Sequence, residues 1–177
     1  RHIVKRLLER DFIVRVPTRS FERVKKLKPM GNLGQVVPVH CDVRDEDSIK
    51  GALEGSEAVI NLLGIVYERG SKNFLNIHVK AAKRIAEEAK AAGVKTLLHM
   101  SALGVDKNTS ANYATSKLAG EKAVRELGMG TDPAEEPFIW LIHVISPSTY
   151  DEPRFNAMVE GLAELNIGVI CCPSAAI

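Results

Sequence analysis

Tyr113 and Lys117 stand four residues apart in the run Tyr113-Ala-Thr-Ser-Lys117, and Ser101 precedes them. A phenol ordinarily titrates near pH ~10, too high for proton transfer at neutrality. A fixed cation beside it favours the phenolate, which would let Tyr113 act as general acid or base. Four-residue spacing puts both side chains on one face of a helix. Ser101 follows an apolar strand, where its hydroxyl would hold a substrate oxygen opposite the phenol. The same Tyr–Lys spacing also describes an exposed helix pair worth about 0.3 kcal/mol. Context favours chemistry: the serine ends a strand and the pair opens the next helix.

The elements needed to place these residues alternate along the chain. Apolar positions at helical spacing in 1–10 give a helix, and Phe12–Pro17 a β-branched strand. A short helix at Ser20–Leu27 ends before Pro29 and Gly31, and Val36–Val39 is the next strand. Asp45 caps a helix through Leu53, with Gly55 beyond its end. The apolar run Glu57–Leu63 suits a strand covered on both faces. Phe74–Ala92 reads as one long amphipathic helix stopped by Gly93, and Lys95–Met100 as a buried strand. A helix from Thr109 to Leu127, closed by Gly128, carries the Tyr–Lys pair. Strand Phe138–Ile145, helix Pro153–Leu165 and strand Gly168–Cys172 complete the chain. Strands separated by helical patterns of this length are βαβ crossovers, hence a doubly wound parallel α/β sheet in one domain, 1–177.

In such sheets ligands bind at the carboxyl ends of the strands. Arg19 follows the first strand, where an arginine suits a ribose 2′-phosphate and an acid would suit a free 2′-hydroxyl. It is equally at home as an exposed loop residue. Asp42-Val43 follows the second strand, where Asp42 either accepts from an adenine amino group or holds the turn into the next helix. Asn61-Leu62-Leu63-Gly64 follows the third, with Gly64 allowing close approach of a ligand.

Composition narrows the classes. A net charge of +2 gives no basic face for a phosphate polymer, and Arg23–Lys28 reads as a solvated helix face. No apolar run approaches the roughly 20 residues that span a bilayer, and no secretory leader is expected. The cysteines Cys41, Cys171 and Cys172 form no framework and suit a reducing compartment, as small apolar fillers of strands. The histidines His2, His40, His78, His99 and His143 lack metal-ligand spacing and read as structural or exposed.

Several segments together resemble the extended and atypical short-chain dehydrogenase/reductases. They are Asp42-Val43, Asn61-Leu-Leu-Gly64, Ser101 and Tyr113-x-x-x-Lys117, in that order. Lys28-Pro-Met-Gly-Asn-Leu-Gly-Gln35, Val59–Gly64, His99-Met-Ser-Ala-Leu-Gly-Val-Asp106 and Tyr113–Lys122 are similar, within that superfamily, to NADPH-binding accessory subunits of respiratory complex I and bacterial NAD-dependent epimerase/dehydratase relatives. The resemblance spans roughly residues 1–127. It implies a Rossmann-like fold whose first strand and Gly-rich loop are lacking here and would precede Arg1, leaving the central strand edges uncovered. It further implies bound NADP(H) in preference to NAD(H), with Arg19 at the 2′-phosphate, Asp42 and Val43 at the adenine, Asn61, Leu63 and Gly64 along the dinucleotide, and Tyr113 and Lys117 at the nicotinamide ribose. Complex I subunits are the implied partners, at a place in the cytoplasm or mitochondrial matrix, peripheral to a membrane.

The intact Ser101–Tyr113–Lys117 set leaves a second reading: an active NAD(P)-dependent epimerase, dehydratase or reductase. Beyond residue 127 the resemblance weakens, with Ser146-Pro147-Ser148-Thr149-Tyr150-Asp151 in place of an Arg-Pro-Ser and Tyr-Gly turn. Segment 139–177 also reads as a strand–helix–strand unit of a metal-dependent amidohydrolase barrel, with His143 at a strand end.

Overall fold

The computed structural model describes residues 1–102, 105–106 and 110–128, and the backbone of strands Ile139–Val144 and Val169–Cys172. The elements are α1 (His2–Leu8), β1 (Val14–Thr18), α2 (Phe21–Val24), β2 (Val36–His40), α3 (Glu46–Leu53) and β3 (Ala58–Asn61). After them come a π-helical turn (Leu75–Lys80) leading into α4 (Ala81–Ala91), β4 (Thr96–Ala102), α5 (Asn112–Gly128), β5 (Ile139–Val144) and β6 (Val169–Cys172).

Local chemistry sets several of these limits. Asp45 caps α3 by accepting from the Asp47 backbone N–H, and Gly55 takes the left-handed conformation at φ 68° just past the helix. Gly93, at φ 71°, ends α4 in the same way. The helix expected to run unbroken from Phe74 instead starts as a π turn. Its wider winding turns His78 inward, and His78 is 2% exposed. The helix expected at Pro153–Leu165 lies outside the described residues.

The strands form one parallel sheet in the order β2-β1-β6-β3-β4-β5. Successive crossovers lead outward to β2 on one side and to β4 and β5 on the other, so the order reverses between β1 and β3, the doubly wound arrangement. The central gap expected from the sequence is filled: β6 lies between β1 and β3 and pairs with both, with Ala58–Asn61 in register against Val169–Cys172. An extended segment there satisfies backbone groups that would otherwise be left at two open edges. The remaining tail strand, β5, pairs with β4, so both tail strands join this sheet.

Two apolar layers flank the sheet. Val4, Leu7 and Leu8 of α1 and Val24 of α2 pack on Val14, Val16, Ala58, Ile60 and Leu98. On the other face Ile49 and Leu53 of α3, Ile85 and Ala89 of α4 and Val124 of α5 pack on Val59 and Leu97. Strand β3 is buried at every residue, in line with its unbroken apolar sequence.

Candidate functional site

Along the second face, the sheet changes character toward its carboxyl edge. Val59 and Leu97 belong to the core; two residues on, Asn61 and His99 face each other in register, and Ser101 follows on the same side. The Asn61 amide nitrogen lies 3.1 Å from His99 Nδ1 while its oxygen accepts from the Leu63 backbone N–H at 3.0 Å. With the amide donating, neutral His99 keeps its proton on Nε2. Burial, then the positive charge of Lys117, pulls the His99 pKa down to about 3, so the ring is uncharged at neutral pH. His99 Nε2 and Ser101 Oγ are both buried without a hydrogen-bond partner among the described residues. Both atoms lie toward the carboxyl edge of the sheet, the edge at which folds of this kind bind ligands.

Helix α5 brings Lys117 onto this edge. Its ammonium donates to the carbonyls of Met100, at 3.0 Å, and Leu63, at 3.5 Å, linking β4 to the loop after β3. Burial lowers its pKa to about 8. Lys117 also sits beside Gly64: a β-carbon there would lie 3.3 Å from the Lys117 nitrogen. One expectation needs correction. The Tyr113 phenol is pushed up by burial and is not lowered by Lys117. The physical reason is that the ammonium reaches down to the two backbone carbonyls. Tyr113 itself stands half-buried at the start of α5, its ring edge-on to His78 and to Phe74.

The other strand ends are more exposed. Arg19 is exposed after β1, where Thr18 Oγ1 accepts from the Ser20 N–H and closes a small turn. Asp42 follows β2 and takes the turn role: its carboxylate accepts from the Arg44 side chain and backbone N–H, and its own carbonyl from the Asp45 N–H. The Arg44 hydrogen bonds hold the Asp42 carboxyl down at about 2, and Arg19 adds to the effect from a distance. The Val43 carbonyl accepts from Arg84 of α4 at 3.0 Å. Asn61 spends both ends of its amide inside the protein, so it shapes the Leu63–Gly64 backbone.

Sequence reasoning missed three residues that hold this arrangement. His78 Nε2 lies 3.0 Å from the Ile65 backbone nitrogen and His78 Nδ1 lies 2.8 Å from Ser116 Oγ. Gly120 lets α5 lie against the π turn, since a β-carbon there would be 1.9 Å from the His78 carbonyl oxygen. The available signal was a glycine inside a strong helical pattern, which marks close backbone approach. His78 and Ser116 belong to no recognisable spacing.

Among the described residues no group of three or more His, Cys, Asp or Glu is placed to hold a metal, and no helix is long and apolar enough to cross a membrane. The His143 side chain, the amidohydrolase candidate, lies outside the described residues; its backbone pairs with Ser101.

Comparison with known proteins agrees with the geometry. The chain is 38% identical over 128 residues to the mitochondrial NADH dehydrogenase 1 alpha subcomplex subunit 9 of Dictyostelium discoideum, an alignment covering 72% of this chain and 35% of that protein. To the 40 kDa subunit of NADH-ubiquinone oxidoreductase of Neurospora crassa it is 33% identical over 127 residues, covering 72% and 34%. The chain thus spans about a third of the length of these relatives. Among solved structures, triphenylmethane reductase of Citrobacter sp. superposes with a TM-score of 0.61 at 16% identity, over 90% of this chain and 50% of that one, which shows a shared fold. The NAD(P)H-binding family model matches residues 1–129. This match covers well over half of the chain and establishes that the chain belongs to the NAD(P)H-binding family.

Proposed function

We propose that this chain is part of an NADP(H)-holding protein of the complex I accessory-subunit type, in which the dinucleotide serves chiefly as a structural ligand. The observation that carries the proposal is the identity of 38% and 33% to two complex I subunits across the segment that builds the site. Two features of the carboxyl edge support the reading. Ser101 Oγ and His99 Nε2 are buried without partners among the described residues, and Gly64 lets the Lys117 ammonium lie close against the backbone, where a β-carbon would be 3.3 Å from it.

In this reading Arg19, exposed at the end of β1, faces the 2′-phosphate and gives NADP(H) the advantage over NAD(H). Asp42 and Val43 border the adenine, with the Asp42–Arg44 pair fixing the turn. Asn61 holds Leu63 and Gly64 in place along the ligand. Lys117 and Tyr113 hold the nicotinamide ribose. The protein works in the mitochondrial matrix or the bacterial cytoplasm, at the periphery of the membrane that carries its partner subunits.

The retained Ser101, Tyr113 and Lys117 favour one further reading, an active NAD(P)-dependent reductase or epimerase. The nicotinamide would supply hydride chemistry there. Ser101 would orient a substrate oxygen, Tyr113 would exchange a proton with it, and Lys117 would place a positive charge beneath the site.

The test is to isolate the full-length protein from its own membranes, measure its native mass and record reduced-nicotinamide fluorescence. Migration within a large respiratory assembly with NADPH bound, at an activity that Tyr113→Phe leaves unchanged, supports the accessory-subunit reading. A free small oligomer whose turnover is abolished by Tyr113→Phe, with nucleotide retained, establishes the enzyme. Absence of any bound or bindable dinucleotide overturns both.

A further inference from the structure

We propose that His78 is a positioning residue, an uncharged clamp that ties the loop after β3 to the first turn of α5 and holds the Tyr113 ring in place. The inference rests on Tyr113 serving the dinucleotide site.

The hydrogen bonds run in one direction. The Ile65 backbone N–H can only donate, so His78 Nε2, 3.0 Å away, must accept. A neutral imidazole with Nε2 accepting carries its proton on Nδ1, which donates to Ser116 Oγ at 2.8 Å. The Ser116 hydroxyl in turn donates to the Tyr113 carbonyl at 2.8 Å. Three bonds thus connect Ile65, which adjoins Gly64, to the backbone of Tyr113. A proton on Nε2 would set two donors against each other and break the first link. Burial, reinforced by the Lys117 charge, agrees with this by pulling the His78 pKa down to about 4.

The ring faces are used as well. One lies nearly parallel to Phe74, centroids 5.2 Å apart, and the Tyr113 ring meets His78 edge-on at 5.5 Å and 88°. Aromatic pairs of this geometry fix relative orientation better than aliphatic contacts. The backbone around His78 is arranged to put it there: the π turn rotates it inward, and Gly120 lets α5 lie against its carbonyl. Nothing in this set requires His78 to touch a ligand, so its effect passes through Tyr113 and the Gly64–Ile65 backbone.

Two variants separate the clamp from mere bulk in the full-length protein. His78→Phe keeps a ring against Phe74 and Tyr113 but loses both hydrogen bonds. His78→Gln loses the ring but offers one acceptor and one donor. The Ile65 amide should exchange with solvent about 10-fold faster in His78→Phe and stay within about 3-fold of wild type in His78→Gln. The NADPH dissociation constant should rise about 10-fold in the first and largely recover in the second. In the wild type, ¹⁵N-histidine spectra should show this ring protonated on Nδ1 and bare on Nε2 through neutral pH.

A folded His78→Phe protein with unchanged Ile65 exchange, or a ring protonated on Nε2, overturns the proposal. If His78→Phe does not fold, the tautomer and His78→Gln decide the matter. If wild type fails to bind NADPH, the dinucleotide reading fails, while exchange and tautomer still judge the clamp.

Discussion

The helix bearing Tyr113 and Lys117 meets the π turn backbone to backbone: a β-carbon on Gly120 would stand 1.9 Å from the carbonyl oxygen of His78. No rotamer change relieves a clash with main chain, so the two segments would have to separate. Gly120→Ala should therefore lose about 1–3 kcal/mol of stability to overpacking, despite the roughly 1 kcal/mol by which alanine favours a helix. Gly51, inside α3 with nothing within 4 Å of its built β-carbon, is the control. Gly51→Ala should be neutral or gain about 0.5–1 kcal/mol. Urea midpoints of the two variants, compared with wild type, check the pair.

The two buried imidazoles make the fold acid-sensitive. Burial holds His78 at about 4 and His99 at about 3, against an ordinary value near 6.5. Both are uncharged in the folded protein, while the unfolded chain takes up their protons as pH falls through ~6.5. Stability is thus lost on acidification, by about 2 kcal/mol per histidine between pH ~7 and ~5. His99→Gln should cut the acid loss by about one histidine's share. Urea unfolding at the two pH values measures this, and equal losses in wild type and variant would contradict it.

How much of this was legible in the sequence follows from the range of the forces involved. The limits of α3 and the end of α4 could be read because Asp45, Gly55 and Gly93 act on their own neighbours. The Ser101–Lys117 neighbourhood could be placed because a strand end and a helix start meet at one sheet edge in any βαβ unit. The π turn could not: it changes the winding by a fraction of a residue, set by Gly120 and by the partners of His78, both distant in sequence. The position of β6 between β1 and β3 was hidden for a related reason, since a strand's place in the sheet is decided by which edges are free to pair. The effect of Lys117 on Tyr113 was misjudged because spacing gives the helix face but not what the flexible ammonium reaches.

In the proposed reading Arg19 carries the choice between NADP(H) and NAD(H). It is exposed at the end of β1, and Asp42 and Arg44 already satisfy each other across the neighbouring turn. Arg19→Ser should weaken NADPH binding by about 10–100-fold through loss of charge-assisted hydrogen bonds to phosphate, and leave NADH binding within about 2-fold. Calorimetric titration of the full-length protein with each dinucleotide tests this. An equal loss for both would move the 2′-phosphate contact elsewhere.

Lys117 should leave an opposite mark at alkaline pH. Burial lowers its pKa from 10.5 to about 8, so between those values the unfolded chain holds a proton that the folded protein has given up. Where the unfolded state binds more protons, stability rises with pH, so this residue adds stability as pH climbs from ~8 toward ~10.5. Tyr113 and Cys41 work the other way, because burial raises both above their ordinary values and their contribution falls as the unfolded chain ionises. The comparison must therefore be made against Lys117→Met, which keeps those two groups and removes only the ammonium. From pH ~7.5 to ~9.5, wild type should gain about 2 kcal/mol relative to the variant in urea unfolding. A constant difference would mean that the ammonium is as well stabilised in the folded protein as in water, so that burial does not lower its pKa.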